Sequence, residues 1–134
     1  MQNTDSGRDA AWRRELRDAI PPRERTAIPR ATMNMLDPLT RIHTNAEVNQ
    51  GLTPEQARTE ATRCLDCPDP QCVTGCPVGI DIPGFVKNIQ RGDDARAAEI
   101  LRHTSALPAV CGRVCPQERQ CESKCIYNLS LIHI

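Results

Sequence analysis

The plainest alternation of apolar and polar positions lies in the second half of the chain. Ile82, Phe85, Val86 and Ile89 recur at helical spacing within I-P-G-F-V-K-N-I-Q-R, which predicts a helix over 82–91. Gly92, free to take a positive φ, ends it. Asp93 then N-caps a further helix, D-D-A-R-A-A-E-I-L-R-H, with Ala97, Ile100 and Leu101 facing inward. The two form a helical hairpin that turns at R-G-D-D. Upstream, Thr53, Pro54 and Gln56 give a capping-box start to a helix over 53–63, with Leu52, Ala57 and Ala61 on its inner face. Near the N-terminus, Trp12, Leu16 and Ile20 stand one helical turn apart and predict an amphipathic helix from Ala10 to Ile20. Pro21 and Pro22 stop it. Termini are loose unless packed, so this helix reads as a surface element or free arm, not a docked one.

The pattern then fails. Residues 21–50 hold four prolines and no sustained period, which predicts an extended linker in which Met33, Met35 and Leu36 pack on the helical unit or on a partner. Between Cys64 and Pro77 the chain is broken by Pro68, Pro70 and Gly75. Asp66 and Asp69 within this stretch, and Asp81 just beyond it, read as turn caps. Gln117 to Lys124 offers one or two more helical turns. The organisation that follows is mainly α with cysteine-rich loops. Residues 1–50 form an N-terminal helix and extended arm, 51–127 the folded unit, and 128–134 an atypical apolar tail.

The chain has 134 residues, enough for one domain, and only three aromatics, Trp12, Phe85 and Tyr127. A core so poor needs a staple: disulfides, a metal or a partner. Seventeen basic residues balance seventeen acidic ones, which argues against a nucleic-acid platform. No stretch approaches the length of a membrane span, and the start M-Q-N-T-D-S-G-R has no apolar leader. The expected location is therefore the cytoplasm, where thiols stay reduced.

There are eight cysteines, all between Cys64 and Cys125. Cys64, Cys67, Cys72 and Cys76 make the first run, C-x2-C-x4-C-x3-C-P. Cys111, Cys115, Cys121 and Cys125 make the second, C-x3-C-P-x4-C-x3-C. Dense thiolates with a proline directly after a cysteine are the pattern of ferredoxin loops. Turning backbone lets amides point at sulfur and tune it. Eight thiols match two 4Fe–4S clusters by count. Structural zinc also uses short spacings, and disulfides are the third reading, disfavoured by the missing leader. His43, His103 and His133 are scattered and read as surface residues. Arg63, Arg113 and Arg119 flank cysteines and read as solvated, although they could offset cluster charge. No nucleophile–base pair or phosphate loop is present.

The run R-C-L-D-C-P-D-P-Q-C-V-T-G-C-P-V-G-I-D-I-P-G-F, together with A-L-P-A-V-C-G-R-V-C-P-Q-E-R-Q-C-E-S-K-C, resembles the N-terminal iron–sulfur domain of the glutamate synthase small-subunit family, including its homotetrameric NADPH members. The same domain begins dihydropyrimidine dehydrogenase and a ferredoxin:NADP oxidoreductase subunit. The likeness covers residues 23–127. It implies an α-helical ferredoxin-like fold that carries two 4Fe–4S clusters between an FAD/NAD(P)H module and a second redox centre. It also implies interleaved ligands. Cys64, Cys67, Cys72 and Cys125 would hold one cluster. Cys76, Cys115 and Cys121 would hold the other, with a Gln or Glu side chain beyond the last cysteine as fourth ligand. Cys111 is then a spare thiol or a substitute ligand. The sequence stops before that position and holds no G-x-G-x-x-G. The expectation is a fragment, inactive alone, with FAD and NADP(H) bound by further domains and with those domains and a second redox subunit as partners.

Overall fold

The computed structural model describes residues 7–130. The protein is mainly α. Helix α1 spans Ala11–Ala19, α2 Pro22–Ala27, α3 Pro38–Arg41, α4 Pro54–Arg63, α5 Gln71–Thr74, α6 Ile82–Arg91, α7 Asp94–Thr104, α8 Pro108–Val114 and α9 Ile126–Ser130. Two 3-10 turns, Gln117–Arg119 and Glu122–Lys124, precede α9. A short antiparallel pair, β1 (Asn34–Met35) and β2 (Asn49–Gly51), joins Asn34 to Gly51 and Met35 to Asn49 with an irregularity between.

Three helices form the frame, and their ends follow from local chemistry. The Thr53 side chain accepts from the Gln56 amide, and the Gln56 side chain accepts from the Thr53 amide at 2.8 Å, which closes the capping box of α4. Asp81 caps α6 by accepting from Gly84 N at 3.0 Å, and Asp93 caps α7 by accepting from Arg96 N at 3.0 Å. Gly92 ends α6 at φ 83°, a left-handed conformation that a Cβ would strain. Helix α6 packs on both α7 and α4. The apolar core they enclose is small: Ala61 and Ala97 are its buried members. On α6 the apolar residues Ile82, Phe85, Val86 and Ile89 are only half-buried, while Lys87 and Asn88 are fully so.

The N-terminal region departs from expectation. Helix α1 is not a loose arm or a simple surface helix, because it docks on the first cysteine loop through a buried ion pair. The Arg13 guanidinium meets the Asp66 carboxylate at 2.6 Å, with side-chain exposures of 4% and 0%. Arg17 reaches the other oxygen at 2.7 Å. Asp66 is thus the anchor of α1 and not a turn cap, and its own φ is 53°. The Arg91 guanidinium also lies over the Trp12 ring at 4.0 Å, a cation–π contact from α6 to α1. The stretch expected to be extended contains α2, whose Arg25 is 2% exposed. Arg25 donates to Ile20 O at 3.0 Å, to Thr62 O at 2.6 Å and to Leu16 O, so it pins α1, α2 and α4 together. Met33 and Met35 are exposed, and Leu36 is half-buried. Residues 131–134, with His133 and the end of the apolar tail, lie outside the described residues.

Burial opposes a charge on Asp66, but hydrogen bonds from Arg13 and then Arg17 outweigh it and hold the carboxyl below its usual value. A depressed carboxyl contributes stability above its unfolded value and loses it as pH falls through the folded one. Asp66→Asn keeps tolerance for the left-handed backbone but leaves Arg13 without its counter-charge. The variant is expected to lose about 3–5 kcal/mol in denaturant unfolding. The gap to the parent protein should be constant above about pH 4 and close below it.

Candidate metal centre

The eight cysteines are delivered by five different pieces of structure. Cys64 follows the last residue of α4, whose C-terminal residue Arg63 is held by Tyr127, its hydroxyl donating to Arg63 O at 2.6 Å. Cys67 lies just past the Asp66 turn. Cys72 sits in α5 and Cys76 one residue beyond its Gly75 cap. Cys111 lies in α8, and Cys115 caps its end. Cys121 and Cys125 flank the second 3-10 turn. All eight are free and half-buried.

Their mutual influence divides them. Burial, then the thiols of Cys64, Cys125 and Cys67, push Cys72 up to about 12. Burial and then Cys125 raise Cys67. Burial raises Cys64, with Cys67 adding to it and the Lys87 ammonium opposing. Cys64, Cys67, Cys72 and Cys125 are therefore neighbours. Cys121 is raised by burial, and also by Cys115 and Cys76. Cys76, Cys115 and Cys121 form a second neighbourhood. The Cys111 Sγ lies 3.8 Å from the Ser105 hydroxyl. Each neighbourhood draws on both cysteine runs.

The two runs touch at Gly75. A Cβ built there would lie 2.8 Å from Gln120 O and 3.2 Å from Cys121 Cα, so only glycine lets α5 approach the second run this closely. Near this contact, the Cys115 Sγ lies 2.8 Å from Gln120 Oε1, as donor.

The surroundings of the two neighbourhoods differ. Lys87, fully buried on α6, donates to Cys64 O at 2.7 Å and to Gln90 Oε1 at 2.8 Å. Burial pulls its ammonium down to about 8, while Cys64 pulls it back up. Lys87 escaped the sequence reading because it falls on the polar side of an amphipathic pattern; its one signal is being one of two lysines among fifteen arginines. Of the arginines that flank cysteines, Arg63 stacks on the Tyr127 ring at 4.9 Å, Arg113 pairs with exposed Glu47 at 2.8 Å, and Arg119 is exposed. His43 and His103 are exposed.

Thiolates are the donors that iron–sulfur clusters take, and half-buried thiols grouped by four and by three suit that chemistry. Among the described residues, no three His, Cys, Asp or Glu side chains meet closely enough to hold a single ion. The grouping is one of neighbourhood across loops. The family described as dihydropyrimidine dehydrogenase domain II, 4Fe-4S cluster, matches residues 41–134. The chain belongs to this family. It is a 4Fe–4S electron-transfer domain of the dihydropyrimidine dehydrogenase and glutamate synthase small-subunit type. The glutamate synthase (NADPH) small chain of Halomonas elongata is 43% identical over 89 residues, 66% of this chain and 19% of that protein. The putative oxidoreductase UacF of Escherichia coli is 44% identical over 80 residues, 59% of this chain and 12% of that protein. The NAD-dependent dihydropyrimidine dehydrogenase subunit PreT of Salmonella typhimurium is 43% identical over 79 residues, 59% of this chain and 19% of that protein. The iron–sulfur chain thus spans under a fifth of the length of these relatives. No helix among its described residues is long and apolar enough to cross a membrane.

Gly75 separates packing from simple backbone freedom. Gly75→Ala should cost about 1–3 kcal/mol by overpacking and lower the iron retained per chain after anaerobic reconstitution. Gly112→Ala, with nothing within 4 Å of its Cβ, should leave iron content unchanged.

Proposed function

We propose that this domain is an electron relay holding two 4Fe–4S clusters, placed between an FAD/NAD(P)H module and a second redox centre. Cys64, Cys67, Cys72 and Cys125 are the ligands of one cluster. Cys76, Cys115 and Cys121 are ligands of the other, with a fourth ligand from Cys111 or from outside the described residues. The observation that carries this reading is the division of the thiols into two neighbourhoods, each drawn from both runs. When bound, such clusters supply one-electron oxidation and reduction.

The chain's own part is to bind, orient and shield. The Pro68, Pro70 and Pro77 breaks turn the first run so that one segment serves both neighbourhoods. The Arg13–Asp66 pair fixes the turn between Cys64 and Cys67. Partial burial of Cys64, Cys67 and Cys72 limits the water that reaches the first site. Residues 51–127 form the cluster-binding unit, with residues 1–50 as an arm packed upon it. The relay itself needs neither hydride chemistry nor a substrate pocket, so the domain alone is inactive as a dehydrogenase.

The glutamate synthase (NADPH) small chains among the relatives favour NADPH as the ultimate donor and glutamate formation as the outcome. A second reading, a relay in a dihydropyrimidine dehydrogenase-like enzyme or another oxidoreductase, is favoured by the PreT and UacF relatives. In either case the partners are flavin- and NAD(P)-binding domains and a second redox subunit, without nucleic acid or membrane, in the cytoplasm.

Anaerobic purification with iron and sulfide analysis tests the proposal. About eight irons per chain are expected, falling to about four in Cys72→Ser and, separately, in Cys121→Ser. A colourless protein carrying zinc would overturn the electron-relay reading.

A further inference from the structure

We propose that Lys87 sets the potential of the first site: its buried ammonium, bonded to the carbonyl of Cys64, makes the Cys64–Cys67–Cys72–Cys125 site the more readily reduced of the two. This rests on the two-site reading above. Lys87 comes from α6, a helix with no cysteine, and is fully buried. Both atoms it donates to, Cys64 O and Gln90 Oε1, are neutral. Arg25 is buried beside it, bonded to the carbonyls of Ile20, Thr62 and Leu16, also neutral. Arg13, Arg25 and Lys87 are the buried cations among the described residues, and all three stand on the Cys64 side. Asp66 is the buried anion there, and it is shared between Arg13 and Arg17.

The other neighbourhood is built differently. The charged side chains near it are not buried: the Glu122 carboxylate, which raises Cys121, pairs with the exposed Arg30 at 2.7 Å, and the exposed Lys124 lays its stem against Gly75. The Cys115 thiol meets the neutral Gln120 amide.

Gaining one electron makes a site one unit more negative, and the donor, a reduced flavin, loses that electron. A cation held out of water is poorly screened, so it favours the more negative form. Lys87 and Arg25 therefore draw the electron to the Cys64 site. The Cys76–Cys115–Cys121 site, with no buried cation beside it among the described residues, is left the more reducing. Lys87 is a positioning and tuning residue and does not itself ligate.

The test uses the full chain loaded with clusters, titrated anaerobically and followed by electron paramagnetic resonance. In Lys87→Met the reduction equilibrium of the Cys64-side signal is expected to fall about tenfold, ~59 mV for one electron, with less change in the other signal. Lys87→Arg, which keeps the charge, is expected to hold the parent potential, which a purely structural role would not predict. An unchanged Cys64-side potential in a fully loaded Lys87→Met overturns the proposal. Should Lys87→Met fail to load, the order of reduction in the parent protein decides. Limiting reductant is expected to raise first the signal altered by Cys67→Ser, and raising first the one altered by Cys121→Ser overturns the proposal. Iron content keeps the two readings apart. About four irons in the parent chain would sink the two-site reading, and the Lys87→Met shift would still be read on the remaining site.

Discussion

The buried carboxylate of Asp66 is the constraint from which the rest of the molecule hangs. It sits in the two-residue gap between Cys64 and Cys67, in a left-handed backbone conformation, at no exposure. Such a charge is costly to bury alone, and its partners must come to it. Arg13 and Arg17 do so from α1, and Arg8 adds a bond from its Nε to the Asp66 carbonyl at 3.0 Å. One side chain thereby ties the N-terminal helix to the first cysteine loop and fixes the turn that separates two thiols. Around it the centre of the protein is polar. Its largest fully buried side chains are Arg25, Lys87, Asn88 and Asp66, and its buried apolar members are alanines. A chain of this composition organises itself around hydrogen-bonded charge, with thiols at the edge.

The parts of the fold that were legible in the sequence are those decided within a few residues. The starts of α4 and α7 are written in Thr53 and Asp93, whose side chains bond to amides three residues on; Asp81, which reads as a turn cap, does the same for α6. The end of α6 is written in Gly92. The docking of α1 was illegible for the opposite reason. Arg13 and Asp66 are 53 residues apart, and an aspartate among prolines looks like a turn cap until its arginine is seen. The apolar stripe of Trp12, Leu16 and Ile20 found the helix but missed the charged face that anchors it. Proline content likewise hid α2, since Pro22 stands at the start of that helix, where proline is tolerated.

The thiols show the same division between near and far. Spacing reveals that cysteines cluster, but spacing alone cannot say which thiol of the first run meets which of the second. That depends on how closely α5 can approach the turn at Cys121, and so on the missing side chain of Gly75. Lys87 is harder still to foresee, because its position within α6 looks like any solvated lysine on a polar helix face.

The bond from the Tyr127 hydroxyl to the Arg63 carbonyl spans 64 positions of sequence. It brings the place where the chain enters the cysteine-bearing segment beside the place where it leaves. A segment whose entry and exit adjoin behaves like a cassette: the chain enters and leaves it at one place, and α1 braces its first loop from outside through Asp66. That portability suits a unit found at the same level of likeness in proteins named for glutamate synthase, for dihydropyrimidine dehydrogenase and for an unassigned oxidoreductase.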